Sequence, residues 1–414
     1  MALIYNLVIF FYGLAVRIAA LFNDKAKFFV TGRKHWQQKL KDATGEERNP
    51  YIWFHCASLG EFEQGRPVIE AVKKQYPAYK IILTFFSPSG YEIRKNYEGA
   101  DIVCYLPLDT KKNANTFLDI VQPQKAFFVK YEFWYNYISG LKKRHIPLYI
   151  ISVIFRKEQL FFQNTPGGKW YRKILAGVTH FFVQNEKSAA LLNSIGIANY
   201  SIAGDTRFDR VAEIARGARS FEMVERFKGN DVTLIAGSTW KPDEELLIDF
   251  INKSSGIKFI IAPHEVKTAN INRICQALEK NFVLFSKAQH EPVENVDVLI
   301  IDSIGILSSL YQYGDMAYIG GGFGVGIHNT LEAATFKLPV IFGPNYLKFN
   351  EAVELVEQGG AFSVDNQDAL NAVLNRLVGG GDVRKKASEA CKKYVDKNVG
   401  AAKLIVEKIF SESK

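Results

Sequence analysis

Cysteine is scarce. The four residues, Cys56, Cys104, Cys275 and Cys391, lie far apart along 414 positions and form no Cys-x-x-Cys pair. That spacing argues against a disulfide framework and a cysteine zinc cluster, and it fits a reducing, cytosol-facing protein. Histidine supplies no alternative, because no two of the seven form a His-x3-His pair, so no metal site is expected. Proline is sparse at 13 residues, and low-complexity stretches are missing. With 48% hydrophobic residues the chain is too apolar for disorder and long enough for two domains.

Charge is present but uneven. Residues 1–200 hold 27 basic and 15 acidic side chains, a net of +12, whereas residues 201–414 hold 25 and 28, a net of −3. The first half is therefore expected to meet something anionic: a membrane surface, a phosphorylated substrate or nucleic acid. Nucleic acid is set aside, since no recognition-helix, zinc-finger or ribonucleoprotein signature accompanies the charge.

One long apolar run opens the chain. Met1 to Val16 carries no charged side chain, Arg17 interrupts, and Ile18 to Phe22 resumes it. A helix of about 22 residues would reach roughly 33 Å, just enough to span a bilayer. A secretory signal fits less well, because no Lys or Arg precedes the apolar core and no clear small-x-small site follows. Arg17 could snorkel to the interface, with Lys25, Lys27, Arg33, Lys34, Lys39 and Lys41 holding the remainder on the cytoplasmic side. The alternative is the first core helix of a soluble domain.

After a linker around Gly45 to Pro50, short apolar runs alternate with segments of helical period. Strands are predicted at Tyr51–Cys56, Lys80–Phe85, Asp101–Tyr105, Ala126–Val129, Leu148–Val153 and Thr179–Val183. The pattern restarts at Asp231–Ala236, Lys258–Ala262, Phe282–Phe285, Val298–Ile301, Met316–Ile319 and Pro339–Phe342. Each run is apolar throughout and each gap admits a crossover helix, as buried parallel strands require. The predicted architecture is α/β: an amino-terminal hydrophobic helix (1–22), two domains (23–205 and 206–383), and helices in 384–414 that pack back across both. Ligands are sought in the cleft at the carboxyl ends of the strands, and so in the loops that follow them.

His55-Cys-Ala-Ser58-Leu-Gly60-Glu61 follows the first predicted strand and opens a helix. Glu61 then lies in the first helical turn facing the cleft, where a carboxylate can act as general base. Ordinary capping, with Ser58 as cap and Glu61 completing a capping box, explains the same residues. Gly60-x4-Gly65-Arg66-Pro67 misses the nucleotide-triphosphate loop by Arg for Lys and Pro for Ser or Thr. Ile235-Ala-Gly237-Ser238-Thr239-Trp-Lys-Pro242 gives a strand, a Gly-Ser-Thr turn and a helix start, whose N–H groups and two hydroxyls suit a phosphate or a cap.

Gly320-Gly321-Gly322-Phe-Gly324-Val-Gly326 places five glycines in seven residues, which lets a ligand approach the backbone, although no register gives Gly-x-Gly-x-x-Gly. His328, Asn329 and Glu332 follow at a helix start, with Glu332 in reach of sugar hydroxyls, and Pro344 to Glu351 could close the same pocket. Arg207, His264 and Lys267 are cationic candidates, each of which alone reads first as a solvated charge or a satisfied histidine.

Taken in order, these segments resemble the 3-deoxy-D-manno-octulosonic acid (Kdo) transferases of lipid A biosynthesis, GT-B type glycosyltransferases with two facing Rossmann-like domains. The resemblance covers nearly the whole chain, and five landmarks keep their order. A His-x-x-Ser-x-Gly-Glu element matches His55 to Glu61, and Thr-x-x-(Ser/Thr)-Pro-x-Gly is similar to Thr84-Phe-Phe-Ser87-Pro88-Ser-Gly90. Glu-x-x-Trp is similar to Glu132-Phe133-Trp134, one residue shorter, and Gly-Asn-x-Lys-Phe-Asp resembles Gly204-Asp-Thr-Arg207-Phe208-Asp209. Ser-Thr-x-x-x-Glu-Glu resembles Ser238-Thr239 with Glu244 and Glu245. Lys130 and Tyr135 stand where an acidic residue and a proline are expected, and Pro263-His264-Glu265 replaces a Pro-Arg-His, which suggests a divergent branch with the same chemistry.

The resemblance implies no cofactor, a CMP-Kdo donor on the second domain, and a phosphorylated lipid A precursor on the cationic first domain. It also implies work at the cytoplasmic face of the inner membrane, beside its anionic surface. Glu61 is implied as the catalytic base that takes the proton of the acceptor's primary hydroxyl while that oxygen attacks the anomeric carbon, with inversion. Ser238, Thr239, a helix amino end and Arg207 are implied to stabilise departing CMP without a metal, and Asn329 and Glu332 to hold cytidine or ribose. Ser58, Gly60, Glu132, His264, Lys267, Gly321, Gly322 and His328 complete the implied substrate contacts. The helix amino end beside Glu61 is expected to favour its ionised form and lower its basicity. A related enzyme using a UDP-sugar and a non-catalytic membrane-bound scaffold are the alternative readings.

Overall fold

The computed structural model describes residues 1–46, 49–288 and 292–411, so residues 47 and 48 of the expected linker lie outside the described residues. The chain divides into two compact units, residues 1–210 with 399–414, and residues 211–398.

The first unit is built on a parallel sheet of β1 (Tyr51–Cys56), β2 (Lys80–Phe85), β3 (Ile102–Tyr105), β4 (Lys125–Val129), β5 (Leu148–Val153), β6 (His180–Val183) and β7 (Tyr200–Ile202). Their order is β3-β2-β1-β4-β5-β6-β7, so the chain builds outward to β3 and then returns to the other side of β1. β1 is buried along its whole length, which is why it reads Tyr-Ile-Trp-Phe-His-Cys without alternation. On one face Trp53 packs against Phe117, Phe128 and Tyr137, with ring centroids 4.8, 4.9 and 5.5 Å away. On the other, Phe54 stacks on Phe127, and the helices Leu59–Gln75 and Ala401–Ser411 cover the sheet. The closing segment thus divides. Helix Gly381–Asn398 belongs to the second unit, and the last helix supplies Ile405, Val406, Ile409 and Phe410 to the core of the first. Asp209 fastens that helix, its carboxylate accepting from the N–H groups of Gly400 at 2.8 Å and Ala402 at 3.0 Å.

The second unit repeats the plan with β8 (Val232–Thr239), β9 (Ile257–Pro263), β10 (Phe282–Leu284), β11 (Val298–Ile300), β12 (Met316–Ile319), β13 (Val340–Phe342) and β14 (Ala361–Ser363), in the order β10-β11-β9-β8-β12-β13-β14. The chain reverses its course between β1 and β4 in the first sheet and between β8 and β12 in the second. Such reversals open a crevice at the strands' carboxyl ends. Two strands escape the sequence reading. β7 and β14 are three residues each, lie at sheet edges and are partly exposed, so no buried apolar run announces them.

The amino-terminal helix runs Ala2–Ala19, roughly 27 Å, and stops short of the expected 22 residues. Asn23 then caps a second helix, Asp24–Gly32, by accepting from Ala26 N–H. One face of the first helix is bonded to the unit. The Tyr5 hydroxyl donates to Asp109 at 2.6 Å, Asn136 Nδ2 donates to Asn6 Oδ1 at 2.9 Å, and Tyr12 packs on Phe29 and Phe86. The other face exposes Leu3, Ile4, Leu7, Val8, Phe10, Phe11 and Ile18. Arg33 turns inward rather than toward a surface partner. Its guanidinium donates to the carbonyls of Phe29, Leu106 and Phe86 and lies 3.6 Å from the Phe29 ring centroid, and burial brings it down to about 10.

Candidate active site

At the first reversal, the turn after β1 and the turn after β4 each carry a carboxylate. Ser58 begins the helix Leu59–Gln75, and Glu61 Oε2 closes back on it, accepting from the Ser58 N–H at 2.7 Å and its hydroxyl at 2.9 Å. The capping role is therefore real, yet it occupies one oxygen only; Oε1 makes no hydrogen bond among the described residues. Gly60 leaves room beside it, since a Cβ there would meet nothing nearer than Ser58 Oγ at 4.0 Å. Burial, and then the Glu132 carboxylate, push Glu61 above the ordinary carboxylate range against the pull of the Ser58 hydrogen bonds. The expectation of lowered basicity is corrected: desolvation outweighs the helix end.

Glu132 is nearly buried, and its Oε2 accepts from Trp134 Nε1 at 2.6 Å. The same indole N–H lies 3.2 Å from His55 Nε2, which in turn is 3.4 Å from Glu132 Oε2. His55 is fully buried, with Nδ1 2.9 Å from the Thr84 hydroxyl and 3.1 Å from the Thr84 carbonyl. A carbonyl only accepts, so Nδ1 carries a proton. Trp53 Nε1 donates to the same Thr84 hydroxyl at 2.8 Å, which completes a closed line from the core to Glu132. Lys130, at the end of β4, has a left-handed backbone with φ 63°.

At the second reversal, Ser238 is likewise left-handed, with φ 54°, and the β8–β9 register shifts between Gly237 and Thr239. A strained serine at a strand's carboxyl end marks a candidate binding position. Its hydroxyl makes no hydrogen bond among the described residues. Thr239 differs: it is fully buried and its hydroxyl donates to Glu244 at 2.9 Å, so it faces the fold rather than an open phosphate site. Glu244 also receives the Arg273 guanidinium. Asp243 accepts from Trp240 N–H, Gly321 N–H and the Tyr318 hydroxyl, each at 2.9 Å. The buried acidic pair is thus Asp243 and Glu244, while Glu245 is exposed beside Lys241.

The glycine run has structural causes. A side chain at Gly320 would collide with the Ser238 carbonyl and one at Gly322 with Gly343, and Gly321 and Gly326 have φ of 94° and 140°. Gly321 N–H is occupied by Asp243. Lys348 donates to the Val325 carbonyl and Asn345 Nδ2 to Gly324 O at 2.8 Å, so the segment after β13 does close over the loop. Asn329 Nδ2 donates to Glu332 Oε1 at 3.0 Å. His264 is exposed and stacks on Trp240 and on His328, with centroids 4.4 and 4.5 Å away. Lys267 is exposed and paired with Glu265 at 3.1 Å.

Residues 34–210 match the family described as 3-deoxy-D-manno-octulosonic-acid transferase (kdotransferase). The chain is 27% identical over 377 residues to a 3-deoxy-D-manno-octulosonic acid transferase of Haemophilus influenzae, covering 86% of each. It is 27% identical over 360 residues to one of Aquifex aeolicus, covering 85% of this chain and 91% of that one. The chain is thus similar to Kdo transferases over most of its length, with the family's domain in residues 34–210. It is accordingly a glycosyltransferase of lipopolysaccharide biosynthesis. Among solved structures it is similar to a UDP-GlcNAc 2-epimerase from Neisseria meningitidis bound to UDP-GlcNAc, with TM-score 0.63, 17% identity and coverage of 87% and 100%, a likeness of fold alone.

Of the residues that carry the family resemblance, Ser58, Gly60, Glu61 and Glu132 lie around the first reversal, and Ser238, His264, His328, Asn329 and Glu332 around the second. Arg207 lies in the first unit, where Nε donates to Asp205 Oδ2 at 2.8 Å and its backbone N–H to Asp205 Oδ1 at 2.9 Å. His55, Trp134, Trp240 and Asp243 were not singled out as site residues. His55 and Trp134 stand in two of the landmark elements and Trp240 directly follows the Ser-Thr turn, whereas Asp243 offered no comparable signal.

Proposed function

We propose that the protein is an inverting transferase that moves Kdo from CMP-Kdo to a primary hydroxyl of a phosphorylated lipid A precursor. Glu61 is the base. Its Oε1 takes the hydroxyl proton as the acceptor oxygen bonds to the anomeric carbon and the bond from that carbon to the phosphate oxygen breaks, leaving its electron pair on CMP. The observation that carries this reading is a half-buried carboxylate raised in pKa, anchored through one oxygen and open at the other. Glu132, fixed by Trp134, keeps that basicity high and serves the acceptor side. The donor belongs to the second unit, where Ser238 and His328 meet its anionic groups and Asn329 with Glu332 hold cytidine or ribose.

The amino-terminal helix is proposed to lie on the cytoplasmic face of the inner membrane. A crossing would cost the bonds from Tyr5 to Asp109 and from Asn6 to Asn136, whereas lying flat buries the exposed apolar face and sets Lys25, Lys27, Lys34, Lys39 and Lys41 near anionic headgroups. Incubation with CMP-Kdo and a tetraacyl bisphosphorylated acceptor, read by mass spectrometry of the lipid, tests the reaction: the acceptor should gain the mass of Kdo. Transfer from a UDP-sugar with none from CMP-Kdo would overturn the donor assignment, and no transfer from any sugar nucleotide would favour a scaffold.

A further inference from the structure

Three rings form one stack at the carboxyl ends of β8, β9 and β12. Trp240 and His264 lie 27° from parallel, and His264 and His328 26°. Within the stack Trp240 Nε1 is 3.0 Å from His328 Nε2. An indole nitrogen only donates, so Nε2 must present its lone pair, and the single proton of a neutral imidazole then sits on Nδ1. That Nδ1 makes no hydrogen bond among the described residues. On the neighbouring strand end stands Ser238, left-handed and with an unbonded hydroxyl.

We infer that Trp240 is a positioning residue that holds His328 as the Nδ1–H tautomer, so that His328 offers this N–H to an anionic oxygen of the sugar nucleotide. The inference rests on the donor reading above and names what recognises the donor's charge. Two neutral donors, an imidazole N–H and a hydroxyl, suit an anion that must bind and then leave. Either the phosphate of the nucleotide or the carboxylate of the sugar acid supplies such an oxygen.

The arrangement is sensitive to acid. Burial, and then the stacked His264, hold His328 below the usual histidine value. A proton on Nε2 would displace the Trp240 bond and place an imidazolium 4.5 Å from a second histidine. The other charged groups around the ring are engaged. Asp243 accepts three hydrogen bonds, Glu332 accepts from Asn329, and Lys348 donates to the Val325 carbonyl beside Gly326.

The test compares the full chain with Trp240→Phe, which keeps a stacked ring and removes the N–H. Calorimetric titration with CMP, free Kdo and cytidine separates phosphate, carboxylate and base. At about pH 8 the variant should bind CMP or Kdo several-fold more weakly, because only the Nδ1–H fraction of its His328 rings can donate to the anion, while cytidine binding is unchanged. A loss confined to CMP identifies the phosphate, and one confined to Kdo the carboxylate. As the pH falls through the His328 value, which lies below the usual histidine one, the difference should shrink, because a doubly protonated ring donates from both nitrogens. Nitrogen-15 spectra should show His328 as Nδ1–H in the parent and as a tautomer mixture in the variant. His328→Asn, which keeps an N–H at the δ position, should bind within about twofold of the parent, and His328→Gln should bind more weakly than Trp240→Phe. An Nε2–H His328 in the parent, equal losses for cytidine, or parental affinity of Trp240→Phe for both anions would overturn the inference alone. A parent that binds neither CMP nor Kdo would overturn the donor reading with it.

Discussion

Each unit places a tryptophan indole on a histidine Nε2 at the carboxyl end of its sheet, Trp134 on His55 at 3.2 Å and Trp240 on His328 at 3.0 Å. The third partner separates them. In the first unit the Glu132 carboxylate takes the same N–H at 2.6 Å, inside a buried line that ends at Thr84. In the second, another imidazole stacks on the histidine and the tryptophan is 39% exposed. One unit therefore sets a second carboxylate near Glu61, whose proton affinity burial raises, and the other presents neutral donors. On the proposed reading the same pair of side chains serves a proton acceptor in one place and an anion receptor in the other, with desolvation and the third group deciding which.

The largest test of that contrast is Glu61→Gln. Transfer should fall by about a hundredfold or more, as for a lost general base, with CMP affinity unchanged, and activity of the parent should rise with pH as Glu61 loses its proton. The carboxyl's raised value also has a cost in stability. The folded state holds the proton more tightly than the unfolded chain, so the associated stability is complete below the unfolded value of about 4.3 and is lost as pH rises through the folded one. Glu61→Gln should consequently melt higher than the parent at neutral pH, and the gap should close near about pH 4. Melting curves at both pH values check the sign.

Next in size is Trp134→Phe, the counterpart of Trp240→Phe. Losing a hydrogen bond to a carboxylate should lower turnover by roughly tenfold to hundredfold while leaving donor affinity alone. If Trp134→Phe weakens CMP binding instead, the division of labour is wrong. Phe10→Ser and Phe11→Ser on the exposed helical face should each reduce partitioning onto vesicles about tenfold without moving the melting temperature, since neither ring is part of the core. Flotation assays with the two variants measure this. The smallest effect is expected for Asp209→Ala, about 1 kcal/mol, the usual loss of a helix amino-terminal cap. Hydrogen exchange should localise it to the last helix and leave the second unit unchanged.

The central strands were legible because burial on both faces leaves uninterrupted apolar runs. Tyr51–Cys56, Lys80–Phe85, Leu148–Val153 and Met316–Ile319 end where the pattern ends. β7 and β14 were not, being short edges whose pairing is dictated by the neighbouring strand rather than by their own composition. Within the site, Glu61 could be placed by its helix turn, but its basicity could not, since Glu132 reaches it only through the fold. Asp243 looked like one of several acids in a first turn. Its bonds to Tyr318 and Gly321 join residues 75 and 78 positions away, which no local pattern records. The glycines were read as room for a ligand, and packing of strand ends accounts for much of them.

The attachment of the last helix to Asp209 sets an order of events during synthesis. The second unit is one continuous stretch, residues 211–398, and can close as soon as it leaves the ribosome. The first unit begins earlier but lacks one covering helix until residues 401–411 have emerged, which leaves the face around Phe54, Ile81 and Phe127 uncovered while the whole second unit is made. Although domains usually mature from the amino terminus onward, here the later-made unit is complete first. The bonds from Asp209 to Gly400 and Ala402, spanning 191 and 193 positions, can form only after the whole second unit has been made.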